Sequence, residues 1–309
     1  VSPPSTSTTV EVEGRQLKLS NLDKVLYPEV GFTKGQVIDY YTRIAPVLLP
    51  HLRDRPLTLK RYPNGVDKPY FYEKRCPSHR PDWVQTTAVW SKRNDDNLDF
   101  CLANDLPTLV WVANLASLEL HTSLSRGAKI SQPSMMVFDL DPGAPATVVE
   151  CAQVALWLRE LLDDLGLESV VKTSGSKGMQ VYVPLNTEVT YGDTKLVSHA
   201  MAQLLEQREP KLVVSQMTKE LRKGKVFIDW SQNDQVKTTV CVYSLRALER
   251  PTVSAPLTWT EVEELHASGD PDAVTLTAAD VLARVADIGD PFAPVLELEQ
   301  KLPRIPGAE

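Results

Sequence analysis

Two carboxylates stand two residues apart in the run MMVFDLDPG, residues 135–143, as Asp139 and Asp141. Four apolar residues lead into them and Pro142-Gly143 stops the run, which is the pattern of a short buried strand ended by a turn. Strand side chains alternate between faces, so the two acids share one face while Phe138 and Leu140 point into the packing. Like charges so placed repel and favour a divalent cation between them; a solvated strand end with two acids is the competing reading. A third acid, Asp229, ends the apolar run Val226-Phe227-Ile228 and is followed by Ser231-Gln232-Asn233. Between them, Ser174-Gly175-Ser176-Lys177-Gly178 is a tight turn able to aim N–H groups at phosphate oxygens, with the lysine adding a point charge. It lacks the GxxxxGK[ST] spacing of a Walker A loop, and taken alone it reads as a Gly-Ser hairpin turn. Three carboxylates at neighbouring strand ends beside such a turn could hold two divalent cations for in-line phosphoryl or nucleotidyl transfer. Lys237 and Arg246, on the next strand and its exit, supply positive charge for a triphosphate leaving group.

The elements that must position these groups alternate between helix and strand. Residues 10–19 read as a hairpin turning at Glu13-Gly14, after a Ser/Thr/Pro-rich tail over 1–9 expected to be disordered. Thr33 caps a helix through about Leu52, and residues 56–62 read as a strand carrying Lys60 and Arg61. The aromatic run Tyr70-Phe71-Tyr72 lies between cations, which suits base stacking as well as a core strand. Strands are expected over 83–90 and 99–102, and a buried helix over 106–120 that delivers His121 at its end. After the acid strand, Thr147 caps an amphipathic helix ended by Gly166, and residues 170–173 and 180–183 form a hairpin. A further helix covers 193–207, strands cover 226–229 and 236–243, and helices near 259–267 and 277–287 precede an acidic, proline-containing tail. This mixture predicts an α+β (mixed α/β) fold with a mixed sheet.

Composition sets outer bounds. The chain has 309 residues, 42% hydrophobic and 24% charged, enough for a large core. No apolar run reaches the roughly 20 residues a membrane helix needs and no leader-like segment opens it, so a cytoplasmic protein without a membrane partner is expected. The four cysteines, Cys76, Cys101, Cys151 and Cys241, show no CxxC pairing and are expected to be buried thiols. The net charge of −7 is unevenly spread: residues 53–93 hold ten Lys/Arg against four Asp/Glu, and residues 251–309 hold three against eleven. The basic segment is a candidate phosphate-facing surface.

The order FDLDPG, TSGSKG, MTKELRKGKVFIDWSQN, VKTT and YSLR resembles the polymerase domain of bacterial DNA ligase D, in the archaeo-eukaryotic primase superfamily. The likeness extends upstream through LSNLDKVLYPEVG, RPLTLKRYPNGVDKPYFYEK and LELH, and so over nearly the whole chain. It implies a primase-polymerase fold over 10–290, with an RRM-like antiparallel or mixed catalytic sheet over about 131–250 flanked by helices. An N-terminal α/β lobe over about 10–130, C-terminal helices over 251–290 and a tail over 291–309 complete the expectation.

The resemblance also implies roles. Asp139, Asp141 and Asp229 match acids that bind two manganese or magnesium ions. Ser174 and Lys177 match the triphosphate turn, and Lys60, His121, Gln180, Gln232, Lys237 and Arg246 match nucleotide-contacting positions. Phe71, Tyr72 and Arg222 match positions along the template and primer path. Asn21, Lys24 and Lys34 match a pocket for the 5′-phosphate across a gap. The implied partners are gapped or nicked DNA, NTP or dNTP with a ribonucleotide preference, and a repair ligase or end-binding proteins, in a nucleoid-associated, end-joining setting. Gln180 stands where many relatives carry His, and cannot carry its charge. The stretch from His121 to Asp139 is shorter than in ligase-fused members, which favours filling short gaps over bridging ends. No KxDG adenylylation motif occurs in the chain. Two rivals remain at this stage: a metal-dependent phosphohydrolase, because FDLDPG resembles a DxD phosphatase start, and a non-catalytic DNA-gap or end-binding module.

Overall fold

A computed structural model describes residues 7–92 and 94–303. Residues 1–6 of the expected disordered tail, Arg93 of the basic segment and residues 304–309 of the expected acidic tail lie outside the described residues. The chain divides into two units. The first comprises the residues up to Ser123 with Val240–Val253 and Leu276–Gly289, and the second comprises Leu124–Thr239, Ser254–Thr275 and the residues from Asp290 on.

The first unit opens with the hairpin β1 (Ser7–Val12) and β2 (Arg15–Ser20), turning at Glu13-Gly14. Ser7–Thr9, expected in the disordered tail, are the first three residues of β1, paired in turn with Ser20, Leu19 and Lys18. A short ribbon of β3 (Val25–Tyr27) and β4 (Phe32–Thr33) leads into α1 (Lys34–Leu52), where Thr33 and Gln36 form a capping box. Its buried stripe of Val37, Tyr40, Tyr41, Ile44 and Leu48 follows the helical period. The sheet is built from β5 (Leu57–Arg61), β6 (Phe71–Glu73), β7 (Thr86–Ser91), β8 (Asp96–Cys101) and β9 (Ser117–Thr122), running β9-β5-β8-β7 with β6 paired to β5. Cys76 and Cys101 form a disulfide, which corrects the expectation of four thiols; Cys151 and Cys241 are buried free thiols.

The expected helix over 106–120 is two elements. The helix α2 (Leu106–Asn114), capped by Asp105, stops early, and Ala116 takes a left-handed conformation at φ 57° before the chain leaves as β9. Both halves are buried, so the apolar run carries no periodic signal to separate them. His121 therefore sits on a strand, not at a helix end.

The second unit is centred on β10 (Met135–Pro142), the acid-bearing strand, buried along Met135–Phe138. After α3 (Val148–Asp164), with a Thr147–Glu150 capping box, come β11 (Val170–Thr173), β12 (Met179–Pro184), α4 (Tyr191–Arg208), β13 (Val213–Val214) and β14 (Val226–Asp229). With β15 (Thr239–Val240) the chain passes back to the first unit, and only these two residues of the expected strand over 236–243 are extended. The second unit's sheet is completed by β16 (Pro256–Leu257) and runs β13-β14-β10-β12-β11-β16. All its pairs are antiparallel except β13 with β14. The helix α5 (Trp259–Ser268) packs on α3, α6 (Ala278–Ile288) packs on α1 in the first unit, and α7 (Pro294–Glu297) packs on β12. No helix among the described residues is long and apolar enough to cross a membrane.

Candidate active site

In the second unit, strand register brings the acids together. Asp139 on β10 is directly opposite Asp229 on β14, and Asp141 lies two residues along on the same face. On the other side of β10, Asp139 is opposite Gln180, which is in turn opposite Lys172 on β11. Lys172, Gln180, Asp139 and Asp229 thus form one row across four adjacent strands.

The row is wired by hydrogen bonds. Gln180 Nε2 donates to Asp139 Oδ1 at 3.0 Å, and the Tyr182 hydroxyl donates to Gln180 Oε1 at 3.3 Å, fixing which way the amide points. Fully buried Lys172 donates to Ser254 Oγ at 2.5 Å. Asp229 accepts from Ser231 N at 3.0 Å, Ser231 Oγ at 2.5 Å and Gln232 Nε2 at 3.0 Å. Lys237 Nζ donates to that same Ser231 hydroxyl at 2.5 Å, so its charge reaches Asp229 through one side chain. Burial and the adjacent Asp141 charge push the Asp139 carboxyl up to about 7, with Asp229 adding to the effect against the pull of Gln180 and Lys172.

Two close backbone approaches hold the strand end. A Cβ at Gly178 would overlap the Leu140 carbonyl oxygen, and one at Gly143 would overlap the Arg222 carbonyl oxygen. Glycine at both positions lets the 174–178 turn and the 222–225 segment lie against the end of β10. Gly143 N donates to Lys225 O at 2.8 Å and Gly143 O accepts from Gly224 N at 2.9 Å, which prolongs the β10–β14 ladder. Beyond β14 the fully buried Asn233 continues it with a side chain: Oδ1 accepts from Val137 N at 2.9 Å and Nδ2 donates to Val137 O at 2.7 Å. The Asp229-to-Gln232 segment is thereby pinned at both ends.

The turn at 174–178 is internally bonded. Thr173 Oγ1 accepts from Gly175 N, and Ser174 Oγ accepts from Ser176 N and Gly178 N at 3.1–3.3 Å. Three N–H groups that the turn could offer a phosphate are thus held by hydroxyls, while Lys177 is exposed. Arg222 stacks on Phe227, 3.7 Å from the ring centre, and donates to Met217 O at 2.8 Å.

In the first unit, a second cluster forms around Glu119, which is 2% exposed. Its Oε1 accepts from Lys60 at 3.1 Å and lies 3.5 Å from Arg246 Nε; its Oε2 lies 2.9 Å from His121 Nε2. Burial pushes the Glu119 carboxyl up, but the His121 hydrogen bond and the charges of Arg246, His121 and Lys60 outweigh it and hold the group well below the usual carboxylate range. Burial lowers the His121 pKa against the upward pull of Glu119. Lys60 also lies over the rings of Tyr62, Tyr70 and Tyr72 at 4.6–5.7 Å, and the Tyr72 ring meets His121 edge-on at 5.9 Å. Phe71 and Tyr72 are exposed on β6 opposite Arg61 and Lys60, so this aromatic strand is surface, not core.

Asn21, Lys24 and Lys34 also come together in the first unit. Lys34 N donates to Lys24 O, Lys24 N donates to Asn21 O, and Lys34 Nζ donates to Ser20 O at 2.6 Å. Lys24 Nζ donates to Asn64 Oδ1 at 2.9 Å. Burial, then the charges of Lys24 and Arg61, lower the Lys34 pKa to about 8, which marks a cation short of an anion.

Sequence reading missed Glu119, Lys172, Tyr182, Asn233 and Asn64. Glu119 had a usable signal, since it lies two residues before His121. On the expected helix those residues diverge; on β9 they share a face. Among the described residues no three His, Cys, Asp or Glu side chains converge as a preformed metal-ligand set. Asp139 is hydrogen-bonded to Gln180, and Asp229 to Ser231 and Gln232.

A family model described as LigD, primase-polymerase domain, matches residues 33–292 and places the chain among the nucleotidyltransferases of primase-polymerase type. The chain belongs to the LigD primase-polymerase domain family. It is 43% identical over 282 residues to the multifunctional non-homologous end joining protein LigD of Mycolicibacterium smegmatis, across 91% of this chain and 36% of that protein. It is 33% identical over 278 residues to the bifunctional non-homologous end joining protein LigD of Bacillus subtilis, across 90% of this chain and 44% of that protein. The chain spans less than half the length of these relatives. Its fold is similar to that of the polymerase domain from Mycobacterium tuberculosis ligase D in complex with DNA, with a TM-score of 0.83 and 40% identity over 91% of this chain and 97% of that one. The motif resemblance and the mixed α/β expectation are both borne out, and the phosphohydrolase reading is set aside.

Proposed function

We propose that this chain extends a primer 3′-OH across short DNA gaps bearing a 5′-phosphate, in end-joining repair, with ribonucleotides preferred over deoxyribonucleotides. The observation that carries the reading is the direct cross-strand pairing of Asp139 with Asp229, with Asp141 on the same face. Oxygen donors of this kind suit Mn²⁺ or Mg²⁺, and the upward shift of Asp139 comes from its burial and the charge of Asp141, which a bound cation would offset. Asp139, Asp141 and Asp229 would hold the ions, which when bound activate the 3′-hydroxyl and offset charge on the phosphates.

The remaining roles belong to the chain's own groups. Gln180 orients Asp139, and the Lys237–Ser231 pair orients Asp229. Ser174 and Lys177 face the triphosphate, and Gln232, bonded to Asp229, also contacts the nucleotide. In the first unit, Lys60, His121 and Arg246 bind the nucleotide, Phe71 and Tyr72 offer exposed rings for stacking, and Asn21, Lys24 and Lys34 take the 5′-phosphate. Arg222 serves the primer path.

The DNA in the related mycobacterial structure and the end-joining names of the relatives support the choice of partner. A primer-extension assay on a short gap, with and without a 5′-phosphate, tests it. Incorporation should require a divalent ion, with Mn²⁺ compared against Mg²⁺ and NTP against dNTP. Binding of the gap without any metal-dependent incorporation would favour a non-catalytic gap-binding module instead.

A further inference from the structure

Glu119 is the most heavily engaged carboxylate of the first unit, and no step above uses it. It is buried on β9 and meets four groups: Lys60, Arg246 Nε, His121 and the Ala247 N–H, which donates to Oε1 at 3.1 Å. Three of the four are side chains, from β5, from β9 itself and from the segment after β15, and all three bind the nucleotide in the proposed function. A buried carboxylate facing that much positive charge stays ionised, and an ionised carboxylate only accepts hydrogen bonds. The 2.9 Å contact to His121 Nε2 therefore needs a proton on Nε2. In the neutral ring the other nitrogen, Nδ1, is then an acceptor.

We propose that Glu119 is a positioning residue that holds Lys60, His121 and Arg246 together and fixes His121 as the Nε2–H tautomer, so that Nδ1 accepts from a hydroxyl or amino group of the bound nucleotide. Lys60 and Arg246, which only donate, meet its phosphates. The assignment of the nucleotide to this cluster rests on the function proposed above. Hydrogen-bond roles and charge set the division of labour inside the cluster: an acceptor nitrogen cannot bind a phosphate oxygen, whereas the cations Lys60 and Arg246 bind phosphate with charge-assisted hydrogen bonds.

The test joins a spectroscopic and a kinetic readout on the full chain. Nitrogen-15 NMR of the imidazoles, with the His121 signals assigned by their loss in H121Q, should show a protonated Nε2 and a bare Nδ1 in the wild-type protein near neutral pH. E119Q should shift those signals toward a mixture of tautomers. It should also raise the KM for the incoming nucleotide about tenfold, the loss expected for one buried charged hydrogen bond, with a smaller change in kcat. E119D, which keeps the charge, should recover part of the KM. A wild-type His121 protonated on Nδ1 overturns the proposal, whether or not E119Q folds. So does a folded E119Q with unchanged nucleotide KM. Wild-type protein that incorporates no nucleotide would instead overturn the polymerase reading, leaving the tautomer to be decided by the NMR spectrum.

Discussion

Asp139 and Asp229 stand directly opposite each other on adjacent antiparallel strands, and their carboxylates are held by different partners. Gln180 takes one and the Ser231–Gln232 turn takes the other. A divalent ion has to compete with these bonds, and the arrangement is tense without it, because Asp139 is forced up toward neutrality by burial and like charge. Removing that charge should relax the fold while removing the chemistry. D139N is expected to melt a few degrees above wild type in metal-free buffer, and to lose nucleotide incorporation by about a thousandfold or more, equivalent to about 4 kcal/mol of barrier. Mn²⁺ should raise the melting temperature of wild type but not of D139N. Calorimetry with and without the ion, alongside primer extension, checks both halves.

Gln180 spends both ends of its amide inside the sheet, one on Asp139 and one on Tyr182. Q180L leaves the Asp139 carboxylate short of a partner, at a cost of about 1–3 kcal/mol, while the Tyr182 hydroxyl keeps Thr239 Oγ1 at 3.1 Å. Urea unfolding should show the loss, and incorporation should fall further than gapped-DNA binding. Q180E, which adds a charge beside Asp139, should be worse than Q180L; the reverse order would mean that the amide does not orient the acid.

Asn233 stands in for a strand residue by satisfying both the N–H and the C=O of Val137. N233A should cost about 2–3 kcal/mol, because two backbone groups are orphaned in the core. It should also loosen the segment that carries Asp229 and Gln232. Hydrogen exchange at Val137 and at residues 230–233 reports this, and unchanged protection there would contradict it.

Lys34 offers a pH handle. Its folded-state value near 8 lies below its usual 10.5, so the folded state gives up the proton first. Lys34 alone therefore makes stability rise with pH between about 8 and 10.5, while its attraction for a phosphate falls as pH passes through 8. The preference for a 5′-phosphate over a 5′-hydroxyl gap should shrink between pH 7 and pH 9 in binding measurements. K34M should show a small preference at both.

Much of this molecule was legible in the chain alone. The alternation in FDLDPG put Asp139 and Asp141 on one face, and Thr33 and Thr147 announced helices because a side-chain cap is a local bond between neighbours. The ordered motifs named the family. What could not be read were relations set by strand order and by burial. Whether His121 ends a helix or lies on a strand depended on a single left-handed residue, Ala116, inside an apolar run with no periodic signal. That one choice decided whether Glu119 faces His121. The pairing of Cys76 with Cys101 and the row from Lys172 to Asp229 likewise arise between segments distant in sequence. Local patterns carry local geometry, while register between strands is settled only when the sheet assembles and every buried polar group has to find its partner.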